Sequence, residues 1–286
     1  MANRHFGKLA DVWKHLPLCE VLAQERPSLY AETHAGSAAY EALDNAERRY
    51  GVRAFHSAAE RHPVLADSRY AVHLGQALGG GWIPGSPLVA MLELGTSAHY
   101  VFCDVDAASI DDLSTWADRL GLAGQTATIR GDGMAAVAEH VLDGSERPAV
   151  VHVDPYDPHA HEPGSLSALE LTARLIASGA AVIYWYGVDA PDQRLWALDA
   201  LGEATDAALW CGDMLVTTAD GAVHDDGHLG RGTTPGTGFG IVLANVSQAS
   251  TDRCRAMGVA LARAYDGTPL PDGRAGALDF LVSTAT

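Results

Sequence analysis

The sequence is short of lysine, of paired cysteines and of long apolar runs, and each shortage excludes something. Lys8 and Lys14 are its only lysines, standing near Arg4 and His5, while the whole chain carries a formal net charge of −17. So acidic a surface repels phosphate backbones unless a basic patch is segregated from it. The alternative for the N-terminal basic cluster is a plain bias towards arginine and aspartate. Cys19, Cys103, Cys211 and Cys254 are far apart and show no CxxC spacing, so they form neither a disulfide nor a zinc framework and read as reduced. No stretch comes near roughly 18 uninterrupted apolar residues, so no membrane span is expected. The opening MANRHFGKLADVWKHL has no apolar signal core, which points to the cytoplasm. No internal repeat or low-complexity segment is present. A nicotinamide enzyme would show GxGxxG after a strand and an acid about 20 residues on. Here the turn is THAGSAA and the next strand-end acid, Asp104, lies much farther away.

What is present is a chain of 286 residues, 48% apolar, which fits one large domain or one domain with an insert. Strand-like runs occur at 28–33 (SLYAET), 99–104 (HYVFCD), 126–130 (TATIR), 149–154 (AVVHVD) and 180–186 (AAVIYWY), with 207–217 and 238–245 as a final pair. Continuous apolar runs of this length suit strands buried on both faces of a parallel sheet. Helical patterns at 111–120, 134–142, 166–178 and 191–201 separate them. The alternation predicts an α/β fold, a Rossmann-like, doubly wound, mostly parallel sheet with right-handed crossovers. One interval, 34–98, breaks the alternation. Its part 38–78 reads helical and ends in the turn-rich GGGWIPGSP. We read residues 1–286 as a single domain with a helical insertion subdomain at 38–82.

Ligands of open α/β sheets bind beyond the carboxyl ends of the strands. The first strand ends at Glu32-Thr33-His34-Ala35-Gly36, the second at Asp104, the third at Gly131-Asp132-Gly133 and the fourth at Asp154-Pro155-Tyr156-Asp157. This series suits an adenosyl cofactor. Asp104 can accept from both ribose hydroxyls and Asp132 from an adenine amino group. The small Ala35-Gly36 lets the backbone approach closely. Singly, each signal has a plain alternative: a turn, or a helix N-cap for a strand-end acid.

Several motifs then stand in one order: ADVWKH (10–15), THAG (33–36), PGSPL (84–88), Asp132-Gly133, VDPY (153–156) and Trp185-Tyr186. With them, and with the helical insert between THAG and PGSPL, the sequence resembles the bacterial 23S ribosomal RNA adenine-N6 methyltransferase family over most of its length. The resemblance implies a class I fold dependent on S-adenosylmethionine (SAM), with S-adenosylhomocysteine as product. It implies cofactor contacts at His15, His34, Ser86, Asp104, Asp132 and Gly133, and a catalytic acid at Asp154. The family has Glu where this chain has Asp104. Lys14 and His15 precede Pro17, which is tolerated in a first helical turn. A helix starting near Leu16 would aim its amides at the methionine carboxylate, with Lys14, His15 and Ser86 beside it. The alternatives are a helix-start residue without a ligand for His15 and a buried, hydrogen-bonded histidine for His34.

The chain departs from the family at the acceptor. Methylases of exocyclic amines commonly use (Asp/Asn)-Pro-Pro-aromatic, whereas this chain has Asp154-Pro155-Tyr156-Asp157-Pro158, and Gly187 follows Trp185-Tyr186 where the family has proline. With the acidic surface, this favours a small or peptide-like acceptor bearing an amine over ribosomal RNA, with Tyr156 lining the acceptor pocket beside Asp154. RNA stays open as an acceptor, and the oligomeric state is left open. Residues 1–9 read either as a lid over an anionic substrate or as a solvated tail. Two rivals remain. His152, Asp154, Asp157, His159 and His161 are metal-ligand types and would suit a metal-dependent hydrolase, although a solvated loop pair explains His159 and His161; our reading assigns no metal. A SAM-binding protein without catalysis is the other.

Overall fold

The computed structural model describes residues 6–143, 148–155, 165–218, 237–270 and 273–285. Helix α1 spans Leu9–Glu25, β1 Leu29–Glu32 and β2 Ala39–Glu41. The insert follows with α2 (Ala46–Arg48), α3 (Ala54–Ala59), α4 (Pro63–Ala66) and α5 (Arg69–Gly79), and closes with β3 (Trp82–Pro84). Then come α6 (Ser86–Leu94), β4 (His99–Asp104), α7 (Ala107–Arg119), β5 (Thr126–Arg130), α8 (Gly133–Val137) and β6 (Ala149–Val153). The chain continues with α9 (Ala168–Ala177), β7 (Ala181–Val188), α10 (Trp196–Ala204), β8 (Leu209–Thr218), β9 (Gly238–Ala244), α11 (Gln248–Tyr265) and β10 (Gly276–Ala285).

Eight strands form one sheet in the order β10-β8-β9-β7-β6-β1-β4-β5. Strands β5, β4, β1, β6 and β7 pair in parallel; β9 enters antiparallel between β7 and β8, and β10 lies antiparallel along β8. From β1 the chain winds outward to β4 and β5, then crosses back to β6. The switch point therefore falls between β1 and β6, which is where an open sheet leaves its ligand crevice. No helix among the described residues is long and apolar enough to cross a membrane.

The sequence reading placed β4 and β5 at their observed bounds. It missed β10, an edge strand that is only half-buried, and the short β2–β3 pair. It also missed α6 and α11. PGSP reads as a turn, but Gly85 serves as N-cap and Pro87 sits in the first turn of α6, where a missing N–H costs nothing. The pairs Ala39↔Pro84, Tyr40↔Ile83 and Glu41↔Trp82 bring the two ends of the insert together.

One expectation needs correction. The helix expected near Leu16 begins at Leu9, so Lys14 and His15 lie within α1 and Pro17 is interior to it. No helix N-terminus is aimed from Leu16. The Lys8 amide donates to Asp11 at 3.0 Å, which closes the true start, and Arg26 at φ 44° ends the helix before Pro27. Tertiary packing overrides the proline. Leu9, Val12, Trp13, Leu16, Leu18, Val21 and Leu22 are fully buried, each contributing about 1.5–3 kcal/mol of apolar burial. The Trp13 indole also donates to the Gly212 carbonyl at 3.1 Å, tying α1 to β8.

Two apolar clusters flank the sheet. One joins α1, α6, α7, α11 and the insert; the other joins α8, α9 and α10. Tyr50, Val52, Phe55, Leu65, Tyr70 and Leu74 of the insert belong to the first cluster, so the insert shares its core with the sheet.

Candidate functional site

The turn after β1 lies across its neighbours. The Thr33 amide donates to His152 of β6 and the Ala35 amide to Cys103 of β4. Gly36 turns the chain at φ 63°, and its amide donates to Asp104 Oδ2 at 2.8 Å. Asp104 Oδ1 accepts the Asp106 amide, also at 2.8 Å. Each Asp104 oxygen thus holds one amide and keeps a second lone pair. At the β5 end, Asp132 caps α8 by accepting the Met134 amide at 2.9 Å. Gly133 packs so closely that a Cβ there would overlap the Thr33 carbonyl, so no other residue fits. His34 touches Thr33 Oγ1 through Nδ1 at 2.9 Å. Burial lowers its pKa, against the opposing pull of Asp154, Asp104 and Asp132.

At the end of β6, Asp154 is bound by Lys14 Nζ at 2.8 Å, and the same ammonium lies 3.4 Å from Asp11. Burial alone would raise the Asp154 pKa, but Lys14, with His152 and His34, holds it below the usual carboxylate range. Lys14 is raised in turn: burial opposes its charge, but Asp154 and Asp11 outweigh that. Lys14 also sits 6.0 Å from the Trp185 ring. The sequence reading put Lys14 among the cofactor contacts; its observed partner is the proposed catalytic acid. His15 is buried edge-on to Tyr70, centroids 5.2 Å apart, and its Nδ1 has no hydrogen-bond partner among the described residues. Burial, and then Lys14, depress its pKa well below the ordinary value. Ser86 donates to Glu32 Oε2 at 2.9 Å, and Tyr30 donates to Oε1 at 2.5 Å.

His34, Gly36, Asp104, Asp132 and Gly133 are thus gathered by the turns after β1, β4 and β5. Lys14, His15, Ser86 and Asp154 stand where α1 and α6 meet β1 and β6. Tyr156, Asp157, His159 and His161 lie outside the described residues. Among the described residues no group of three His, Cys, Asp or Glu side chains is arranged to hold a metal. The four cysteines are free and buried, and burial raises their thiol pKa values. Sequence reasoning named Glu32 only as a strand end and His152 only as a metal-ligand type, and passed over Asp11. For the first two a signal existed: polar residues in strands otherwise apolar on the same face.

For SAM, the residues present fit. Gly36 turns at φ 63° and Gly133 packs on the Thr33 carbonyl, so the backbones of the turns after β1 and β5 approach closely, as an adenosyl site needs. The orphaned His15 Nδ1 is a buried group suited to a polar ligand.

No protein-family model matches the sequence, and no curated protein matches it. Among solved structures, protein LPL1258 from Legionella pneumophila superposes with a TM-score of 0.73 at 18% identity, over 99% of both chains. A SAM-dependent methyltransferase from Agrobacterium tumefaciens gives 0.46 at 13% identity, over 86% of this chain and 65% of that one. The M. jannaschii TYW2 structure in complex with AdoMet gives 0.39 at 8% identity, over 84% and 77%. The last two likenesses carry no inference about this chain. The first extends over the whole chain and shows a shared fold, a Rossmann-like, doubly wound, mostly parallel sheet with an antiparallel β9.

Proposed function

We propose that the chain is a SAM-dependent methyltransferase that places a methyl group on the nucleophilic nitrogen of a small or peptide-like amine. The observation that carries this is Asp154, held ionised by Lys14 at the switch point, beside the cradle of Gly36, Asp104, Asp132 and Gly133. Asp104 would take the ribose hydroxyls on its free lone pairs, Asp132 the adenine amine, and His15 and Ser86 the methionine carboxylate. When bound, SAM supplies an activated methyl carbon, so the protein chiefly positions. Asp154 would accept a hydrogen bond from the amine, orient its lone pair and take the proton the nitrogen releases. Lys14 keeps that carboxylate ionised and fixes its direction. Tyr156 would line the acceptor pocket, and Trp185 offers an indole face beside Lys14. We further propose that residues 38–82 are an insertion within a single 1–286 domain and serve to brace α1.

The test is Asp154→Ala. Turnover should fall by about 10²–10⁴, the usual worth of a positioned general base, while S-adenosylhomocysteine still binds. Loss of binding together with turnover would make Asp154 structural; binding by wild type with no turnover on any acceptor would favour the non-catalytic reading.

One observation keeps adenine-N6 methylation of RNA as the second reading. Residues 1–82 carry nine Lys/Arg and nine Asp/Glu, whereas 83–286 carry ten and twenty-seven. A polyanion would therefore meet least repulsion on the side of α1 and the insert. Rapid, salt-sensitive methylation of naked 23S RNA would sink the small-acceptor reading and establish this one.

A further inference from the structure

His152 has no role in the reading above, yet its setting is unusual. It lies on β6 in register with Glu32 of β1, and the two side chains are 0% and 1% exposed. Its neighbours on that sheet face, Val150 and Ile183, are apolar. Neither ring nitrogen of His152 has a hydrogen-bond partner among the described residues. The nearest acceptor is Glu32 Oε2, 3.8 Å from Nδ1, too far for a hydrogen bond. That same oxygen is held by the Ser86 hydroxyl at 2.9 Å, and Oε1 by Tyr30.

Ser86 is therefore engaged twice over: with Glu32 here, and with the cofactor in the proposed function. We propose that His152 is a positioning residue that takes over Glu32 Oε2 when the cofactor carboxylate draws the Ser86 hydroxyl away. The Nδ1–H of His152 then donates to Glu32 Oε2. Glu32 Oε2 keeps a partner through the exchange, His152 Nδ1 gains one, and a side-chain bond is added to the backbone pairing of β6 with β1 two residues before Asp154. Cofactor binding would in this way set the acid that meets the acceptor. The inference rests on the methyltransferase reading for its ligand, but not for the Glu32–His152 exchange itself.

The experiment follows the ¹⁵N-labelled His152 imidazole by NMR. In ligand-free Ser86→Ala, His152 Nδ1 should move to a hydrogen-bonded N–H shift with a slowly exchanging proton. Ser86 caps nothing with its side chain, so alanine is tolerated at the start of α6. S-adenosylhomocysteine added to wild type should produce the same change, and Glu32→Gln should abolish it. In His152→Leu, affinity for S-adenosylhomocysteine should fall about tenfold, as for one lost charge-assisted hydrogen bond. A His152 signal unmoved by both Ser86→Ala and ligand overturns the proposal. A signal that moves in Ser86→Ala while wild type binds no S-adenosylhomocysteine upholds the exchange and sinks the methyltransferase reading instead.

Discussion

Among the described residues, the buried polar cluster around Asp213 and the one around Asp154 are built differently. Under β7 and β8, the fully buried Asp213 accepts from Tyr186 at 2.5 Å on one oxygen and from Arg194 at 3.3 Å on the other. Cys211 and Ser283 complete that network. Between α1 and β1/β6, the second cluster holds Lys14, His15, Glu32, Ser86, His152 and Asp154, and three of its ring nitrogens have no partner among the described residues. A saturated network rigidifies; an unsaturated one costs free energy that folding alone does not justify. The difference separates the proposed scaffold from the proposed site: both oxygens of Asp213 accept side-chain donors, whereas the imidazoles of His15 and His152 near Asp154 keep ring nitrogens unpartnered among the described residues.

The sharpest way to break the comparison is at its charged pairs. Removing Lys14 leaves Asp154 partly buried and uncompensated, so Lys14→Met should cost about 3–5 kcal/mol and abolish turnover. Lys14→Met with Asp154→Asn should recover most of the stability and none of the activity, as denaturant melts and a methylation assay would show. Asp213→Ala should cost about 3 kcal/mol by the same logic, yet leave affinity for S-adenosylhomocysteine within a few-fold of wild type. A large loss of affinity there would erase the distinction between scaffold and site. Gly133→Ala sharpens it from the other side. The added methyl meets the Thr33 carbonyl, so a destabilisation of about 1–3 kcal/mol should come with loss of cofactor binding, read by melting and calorimetry.

A milder effect follows from pH. Burial holds the pKa values of His15 and His34 below the ordinary value of about 6.5. Below that pH the unfolded chain takes up protons that the native state refuses, so stability should fall as pH drops from about 6.5. Asp154, whose pKa is also lowered, adds its own loss only near pH 4 and below. Thermal melts across pH 4–8 check this, and His15→Leu should flatten the upper part of the slope. The smallest effect belongs to the exposed Asp44–Arg49 pair, where Asp44→Ala should leave the melting temperature unchanged.

Much of the sheet was legible in the sequence because buried parallel strands write continuous apolar runs, as HYVFCD did for β4, while the half-exposed edge strand TATIR became β5 at its own bounds through its β-branched residues. What escaped was set by tertiary context. Gly276–Ala285 is half-exposed at the sheet edge and has little pattern, and Pro17 disguised the middle of α1 as its beginning. The turns after β1, β4 and β5, where His34, Gly36, Asp104, Asp132 and Gly133 lie, could be read because each follows a strand end. The pairing of Lys14 with Asp154 spans 140 residues, and no local pattern announces it. Nor could the sequence show that Ser86 and His152 both lie beside Glu32 Oε2.

The most direct measurement is calorimetric titration of wild type and Asp104→Ala with SAM and S-adenosylhomocysteine. Micromolar binding to wild type, lost in Asp104→Ala with the fold intact, is the predicted result. No binding of either compound to well-folded wild type would contradict the account.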